Sequence, residues 1–151
     1  MKSLPVYFYV QKTTSFNRTN SAIPFELELL NIGGAMNLTS GKFTAPKAGT
    51  YFFSFKGKSY FPISSSRLDV DVRIYLNGNP IGSDFSDEIS TVVQFDSLFV
   101  QSTLNLQAGD QIWLQIFGMS TGTNLFDNLN CYTHFVGWLL EERIAQSLNF
   151  K

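Results

Sequence analysis

The sequence predicts a single all-β domain, built as an antiparallel sandwich, jelly roll or barrel, and three observations support this class. Hydrophobic residues make up 44% of the 151 residues, and fifteen Phe, six Tyr and two Trp give them a bulky aromatic character that favours sheets. Apolar and polar residues alternate over short segments, as in half-buried strands. Clusters of turn-forming residues separate these segments, with no amphipathic helical pattern between them.

The clearest strand is LDVDVRIYL, residues 68–76, in which every second residue is apolar. Asn77-Gly78 follows directly and is a strong signal for a two-residue hairpin. The C-terminal tail has helical spacing through Ile144 and Leu148, but so short a helix is unstable alone, so we expect the tail to fray. The same alternation predicts strands at Val6–Val10, Pro24–Leu30, Gly49–Phe55, Val92–Phe99, Gln101–Leu106, Gln111–Phe117 and Tyr132–Leu140.

The charge pattern argues against densely anionic partners. The formal net charge is −1 and the eleven Lys and Arg are scattered along the chain, so we predict no nucleic-acid binding. No apolar run approaches the ~20 residues that span a bilayer, so we predict no membrane insertion. The segment MKSLPVYFYVQK begins like a signal peptide, but its apolar run ends at Val10 without a cleavage site and favours a strand.

The sequence contains no recognisable catalytic motif, so we predict that the protein is not an enzyme. The single cysteine, Cys131, excludes an internal disulfide, and we expect it to be buried as a small hydrophobe. The single histidine, His134, lies three positions later in a predicted strand, where alternation sends the two side chains to opposite faces. The sequence also contains several acidic residues in predicted loops, whose spacing is compatible with a glycosidase pair or a calcium site. The simpler interpretation is that they are solvated. These residues are Asp84, Asp87, Glu88, Asp96 and Asp127.

Two sequons are candidate sites of N-glycosylation. Asn17 begins Asn-Arg-Thr and Asn37 begins Asn-Leu-Thr, and both fall in predicted loops. Exposed sequons fit a secreted protein. They do not establish one, because the motif arises often by chance.

The segment GKFTAPKAGTYFFSF, Gly41–Phe55, together with the residues before it, resembles the signature of the complement C1q globular head family. That signature ends in Gly-x-Tyr-x-Phe, and Met36 is the one departure, because the family has Phe, Tyr, Trp or Leu there. Two later segments are similar to the family's tryptophan strand and closing strand, and the three motifs together cover Val6–Leu140. The matching residues are Phe25, Asn31, Phe43, Gly49, Tyr51, Phe53, Trp113, Phe135 and Gly137.

The resemblance implies a ten-strand antiparallel jelly roll, shared with tumour-necrosis-factor-like proteins and assembled as a compact homotrimer. It implies a C1q-like domain at residues 6–141, after a lead-in at 1–5 and before a tail at 142–151. The conspicuous aromatic residues are then expected in the core or the trimer interface, with Phe53 inside and Phe52 outside, where a partner copy could bury it. No cofactor is required.

The function that the resemblance implies is a secreted, extracellular recognition module that binds a protein or carbohydrate target through surface loops. The alternative is a cytokine-, hormone- or synaptic-organiser-like ligand that clusters a cell-surface receptor. Some family members bind calcium through acids ahead of the LNL strand, which points to Asp96 and Glu88. Candidate ligand loops are Lys58–Arg67, Ser83–Glu88 and Gly118–Asn128, with Tyr60, Phe61, Arg67, Asp84, Asp87, Asn124 and Asp127 as candidate contact residues.

Overall fold

The computed structural model describes residues 4–144, which form eleven strands and no helix. Both sheets are antiparallel, so the predicted all-β jelly-roll class is confirmed. Two of the strands have only two residues each, which accounts for a count above ten. The strands are β1 (Tyr7–Gln11), β2 (Leu27–Ile32), β3 (Met36–Asn37), β4 (Lys42–Thr44), β5 (Gly49–Phe61), β6 (Ser64–Leu76), β7 (Asn79–Ser90), β8 (Gln94–Leu106), β9 (Gln111–Met119), β10 (Asn124–Leu125) and β11 (His134–Glu142).

Two sheets face each other across one core. In sheet I, β5 is central: it pairs with β8 on one side and with β11 and β10 on the other, and β1 and β2 follow β11 outward. Sheet II has the order β3-β4-β9-β6-β7. The strands β7 and β8 therefore border the same lateral edge of the sandwich, where they contact each other. No helix among residues 4–144 has the length and apolarity needed to cross a membrane.

Aromatic rings dominate the space between the sheets. The ring centroid of Phe53 lies 5.3 Å from that of Phe43 and 6.1 Å from that of Phe135. Phe8 meets Phe135 edge-on at 4.9 Å, a favourable arrangement for two aromatic quadrupoles. Met36 is buried as well, because its flexible apolar side chain fills the position where the family has Phe, Tyr, Trp or Leu. The structure thus places these family-motif residues in the core: Phe25, Phe43, Tyr51, Phe53 and Phe135.

Gly137 shows why this core requires a glycine. A Cβ atom built there would lie 2.6 Å from Cε2 of Phe8 and 2.7 Å from Cδ1 of Phe53. Both distances are shorter than non-bonded carbon atoms can approach each other. The absence of a side chain on β11 lets the two rings meet across the sheet. Gly49 meets a similar restriction, because its Cβ would collide with the backbone oxygen of Glu141.

Turn residues behave as their chemistry predicts. Asn77 and Gly78 have φ of 50° and 91°, the left-handed pair that a tight hairpin between β6 and β7 requires, which confirms the predicted turn. Asn31 closes the turn after β2: its side-chain amide donates to the Met36 carbonyl over 2.8 Å and its Oδ1 accepts the Met36 N–H. A side-chain clamp of this kind replaces ladder hydrogen bonds that the turn interrupts.

The structure corrects several predicted boundaries. The segment after Asn77-Gly78, expected as turn and loop, is the twelve-residue strand β7, an edge strand that tolerates Pro80 because its outer side needs no ladder hydrogen bonds. Two strands predicted within residues 92–106 are the single strand β8. β5 continues beyond Phe55 to Phe61. Most of the predicted C-terminal helical tail, including Leu148, lies outside the described residues.

Candidate functional site

The strands β7 and β8 are joined by polar side chains across the open edge of the sandwich, which we call the β7–β8 seam. Asp84 accepts the backbone N–H of Phe99 on β8 over 2.7 Å. The hydroxyl of Ser86 lies 2.9 Å from that of Ser59 on the neighbouring strand β5, and the Ser59 hydroxyl donates to the Asp96 carbonyl on β8. Glu88 hydrogen bonds to Asp96. Alternate residues of β7 therefore tie the two sheets together. The prediction that Asp84 lies on a free ligand-binding loop is wrong, because it belongs to this strand.

The seam brings together both residues predicted as calcium ligands. The hydrogen bond to Asp96 is the main reason why the pKa of Glu88 is raised, and the negative charges of Asp96 and Asp87 add to it. Two carboxyl groups in direct contact are closer than the ~5 Å or more that separate a glycosidase pair. No group of three or more His, Cys, Asp or Glu side chains within residues 4–144 could hold a metal. Calcium would need further oxygen ligands from the backbone or water.

Three other residues predicted as exposed contacts in ligand loops are placed differently by the structure: two are buried and one lies on a strand. Phe61 is only 1% exposed and belongs to the core at the end of β5. Asp127 is buried and accepts the backbone N–H groups of Asn128, Tyr132 and Thr133 over 2.8, 2.9 and 2.7 Å, which organises the loop before β11. Asn124 lies on β10, where its Oδ1 is covered by the protein.

The remaining candidates stay at the surface. Arg67 is exposed and forms an ion pair with Asp87. The two residues lie on β6 and β7 of sheet II rather than in loops. The two sequon residues, Asn17 and Asn37, are also exposed, although Asn37 lies in β3 and its Oδ1 accepts the N–H of Ser40.

An aromatic cluster that the sequence analysis did not identify covers the outer face of sheet I near the end of β5. Tyr60 packs edge-on against Phe95 at 5.6 Å, and Phe95 meets Phe126 at 5.0 Å. The ammonium of Lys58 lies 3.9 Å from the ring centroid of Tyr132 and 4.9 Å from that of Phe95. Tyr60 and Phe95 are far apart in the sequence and meet because they lie opposite each other on the paired strands β5 and β8. The cluster could therefore be identified only once the register of these strands was known.

Four loops meet at this end of the molecule, which we call the loop end. They are residues 62–63, 91–93, 120–123 and 126–133, because β5, β7 and β9 end there and β6, β8 and β11 begin there. The Ser120 hydroxyl accepts the N–H of Asp69 over 2.9 Å, which links two of the adjoining segments. Large apolar side chains protrude from three of the loops: Ile63, Val92 and Leu129, the last 87% exposed.

The outer face of sheet I also carries an apolar groove at the other end of β11. Its volume is about 420 Å³, and Tyr7, Leu30 and Trp138 are among its lining residues. Phe52 on β5 packs beside Trp138 with ring centroids 4.8 Å apart, on the outward side expected for it. Trp113 instead lies half-buried on sheet II, stacked on Tyr75.

Cys131 and His134 do not lie on a common strand. β11 begins at His134, and Cys131 precedes it in a turn with φ of 55°, so strand alternation does not separate the two side chains. Both line a cavity beside Lys56 and Lys58. Cys131 is partly accessible rather than fully buried, contrary to the expectation for a small hydrophobe.

Comparison with known families connects this architecture to its relatives. The family model of the C1q domain matches residues 7–140, which include both sheets. The chain belongs to the C1q domain family. The resemblance stated from the sequence motifs is therefore confirmed.

Individual C1q relatives are distant. Mouse complement C1q tumor necrosis factor-related protein 3 is 32% identical over 141 residues, covering 92% of this chain and 52% of the relative. Mouse complement C1q tumor necrosis factor-related protein 2 is 28% identical over 133 residues, covering 88% of this chain and 42% of the relative. The chain thus spans about half the length of these curated relatives. The globular domain of zebrafish complement 1qA protein superposes with a TM-score of 0.65 at 19% identity, covering 91% of this chain and 99% of that domain.

Proposed function

We propose that this C1q domain is a secreted, non-enzymatic recognition module that assembles as a homotrimer and binds protein or carbohydrate targets through its loop end. Family membership supports the general role. The observation that carries the proposal is the presence of two exposed apolar surfaces, one on β1, β2 and β11 of sheet I and one along the β7–β8 edge of the sandwich. A chain that stays monomeric rarely exposes large apolar patches on two sides.

The first surface, the groove surface, lies on β1, β2 and β11. It carries Tyr7, Leu30 and Trp138 around the apolar groove, with Leu29 exposed on the same edge strand. The second, the edge surface, lies along β7 and β8, where the half-exposed Phe85 and Phe99 flank the seam. Each surface contains aromatic side chains, the residue type enriched at the centres of protein interfaces.

Because the two surfaces differ, contact between them is heterologous: the edge surface of one copy packs on the groove surface of the next. Heterologous contacts close into a ring when the rotation between copies permits, and otherwise continue into filaments. Three copies is the number that the resemblance to C1q heads implies. A closed trimer would present three loop ends together, which raises avidity without any new contact to the target.

The loop end suits recognition because its apolar residues protrude from loops held by paired strands. Ile63, Val92 and Leu129 are exposed, and the Tyr60 aromatic cluster supports the sheet beneath them. Functional residues commonly occupy loops positioned by a rigid scaffold. This arrangement replaces Phe61 and Asp127 as candidate contacts, because both are buried.

Light scattering during gel filtration tests the assembly. At micromolar concentration, we expect wild type to elute with about three times the 17.0 kDa chain mass. Trp138→Glu and Phe85→Glu each place a charge in one of the two surfaces, so each variant should elute as a monomer. Leu129→Glu is the matched control at the loop end and should remain trimeric. Monomeric wild type would contradict the assembly proposal.

The same variants test recognition on an array of microbial glycans and on cultured cells. Wild type should bind, and Leu129→Glu should lose binding while it remains trimeric. Binding across several glycans favours broad recognition of carbohydrate surfaces, whereas saturable capture by one cell-surface protein favours the receptor-clustering alternative. Full binding by Leu129→Glu in both assays would exclude Leu129 from the recognition surface.

A further inference from the structure

A polar cavity lies on the outer face of sheet I, between β5, β8 and the loop before β11. It has a volume of about 290 Å³. No carboxylate is among the described residues that line it, although the whole chain has slightly more acidic than basic groups. The lining residues are Lys56, Gly57, Lys58, Ser97, Cys131, Tyr132 and His134.

The two lysines of this cavity have no ionic partner among the described residues. The ion pairs of residues 4–144 involve Lys12, Lys47, Arg67 and Arg73, and neither cavity lysine takes part in one. The Lys58 ammonium is instead held against the Tyr132 and Phe95 rings. A cation–π contact fixes the position of a charge without neutralising it, so a positive charge stays available at the cavity wall.

His134 adds a third nitrogen donor to the cavity. It lies opposite Lys56 in the β5–β11 register, so the two side chains point to the same face of the sheet. Burial, and then the nearby Lys56 charge, lower the pKa of His134, so the ring is neutral at neutral pH. Its Nδ1 is buried without a hydrogen-bond partner. The neutral ring carries one N–H, which can be donated to a ligand in the cavity when the proton lies on Nε2.

We propose that this cavity binds a compact oxyanion group, a sulfate or phosphate ester carried on a monosaccharide-sized ligand. Lys56 and Lys58 supply positive charge, and Ser97, Tyr132 and His134 supply hydrogen-bond donors of the kind that oxyanions accept. The cavity volume is near the lower limit for small-molecule sites, which is about 300 Å³. It is larger than a free ion needs and matches a small sugar ester. The proposal deepens the recognition role proposed above and rests on it for its biological meaning.

Ligand charge should couple to the protonation of His134. The titratable or charged groups around its ring are Lys56 and Lys58 on β5, Tyr9 on β1, which meets the ring edge-on at 5.6 Å, and Cys131 and Tyr132 in the preceding loop. The loop carboxylate, Asp127, is already bonded to backbone N–H groups. Because an anion offsets the repulsion from the lysines, binding of the sulfate ester should strengthen as the pH falls from about 7.5 to about 5.5. The phosphate ester gains a proton near pH 6, so this pH test uses the sulfate ester alone.

The test is an NMR and calorimetric titration of the protein, in its solution assembly, with glucose-6-sulfate, glucose-6-phosphate and unmodified glucose at constant ionic strength. We expect saturable shifts of the His134 ring resonances with one or both esters and none with glucose. Comparison of the two esters identifies the preferred oxyanion. Lys56→Gln removes an exposed charge and should weaken ester binding about tenfold or more.

Lys42→Gln is the matched control. Lys42 also lies over an aromatic ring, 4.3 Å from the Trp113 centroid, but on sheet II, so its loss should leave the dissociation constant unchanged. Equal binding of glucose, no effect of Lys56→Gln, or equal effects of both variants would overturn the proposal. Light scattering on the same samples separates the two proposals, because a monomer that binds the ester refutes only the trimer and a trimer that does not bind it refutes only the cavity.

Discussion

At the residue scale, Phe53 connects the aromatic core most directly to the family signature. Its ring contacts those of Phe8, Phe43, Tyr51 and Phe135, so it joins strands of both sheets. It is completely buried, and no polar atom of the ring needs compensation. Removing such a side chain loses its transfer free energy and also leaves a cavity that tightly packed rings cannot fill.

We predict that Phe53→Ala lowers the free energy of unfolding by ~3–5 kcal/mol, as for other buried phenylalanines. Urea denaturation followed by tryptophan fluorescence at a fixed chain concentration measures this change. Phe117→Ala is the control, since this side chain is half-exposed on sheet II and should cost less than about 1 kcal/mol. A cost for Phe53→Ala as small as that of the control would remove Phe53 from the stabilising core.

Lys12 illustrates a residue whose role the linear pattern did not reveal. Its side chain is 1% exposed, and its ammonium donates to Glu26 over 2.9 Å and to the Pro24 carbonyl over 3.0 Å. Burial alone would raise the pKa of Glu26, but the N–H of Thr13 and the ammonium of Lys12 lower it overall. The pair joins residues fourteen positions apart, so only the folded chain brings them into contact.

At the element scale, the β7–β8 seam joins two edge strands through side chains instead of ladder hydrogen bonds. Asp84, Ser86 and Glu88 alternate with outward-facing residues on β7, including Phe85. Asp84 also occupies the Phe99 N–H on the open side of β8, a backbone group that could otherwise pair with another strand. The polar links also place acidic groups in contact, so the stability of the seam depends on pH.

We predict that Glu88→Gln raises the melting temperature at neutral pH and has no effect at acidic pH. The pKa of Glu88 is raised in the folded state, so the stabilising contact with Asp96 is complete below the ordinary glutamate pKa and is lost as pH rises through the raised value. Differential scanning fluorimetry across pH measures the effect. Glu141→Gln, which neutralises an exposed acid on β11, should leave the pH profile unchanged. A Glu88→Gln variant that matches wild type at every pH would contradict this account.

Calcium tests the same seam. Because a divalent cation would relieve the repulsion between Glu88 and Asp96, saturating calcium should raise the wild-type melting temperature, and Asp96→Ala should abolish the increase. The absence of a wild-type shift under saturating calcium would end the calcium hypothesis. It would leave the pH prediction intact, because that prediction depends only on the two carboxyl groups.

At the scale of the whole molecule, the proposed contact between the two apolar surfaces would make stability a property of the assembly. If the groove surface and the edge surface bury each other, folding is coupled to association by mass action. Leu129 at the loop end is exposed and lies on neither surface, so the proposed contact would leave it available to a target. Recognition and assembly then occupy different parts of one small domain.

We predict that the wild-type melting temperature rises with chain concentration. A trimer is favoured over unfolded monomers at higher concentration, so a roughly hundredfold increase should shift the transition by several degrees. Calorimetry at two concentrations provides the measurement. Trp138→Glu should melt at a lower temperature that does not depend on concentration, whereas Leu129→Glu should behave as wild type does. A wild-type transition independent of concentration would argue for a monomer.

The all-β class, the C1q family and the Asn77-Gly78 hairpin could be predicted from the sequence, because they depend on local chemistry: alternation, turn propensity and the spacing of bulky residues. The sequence did not reveal β7, whose Pro80 and polar residues are tolerated only at a sheet edge. Nor did it predict that Phe61 and Asp127 are buried or that Lys56, Lys58 and His134 share a cavity. These features depend on strand register and on which faces the two sheets cover, and both are set only when distant segments pack together.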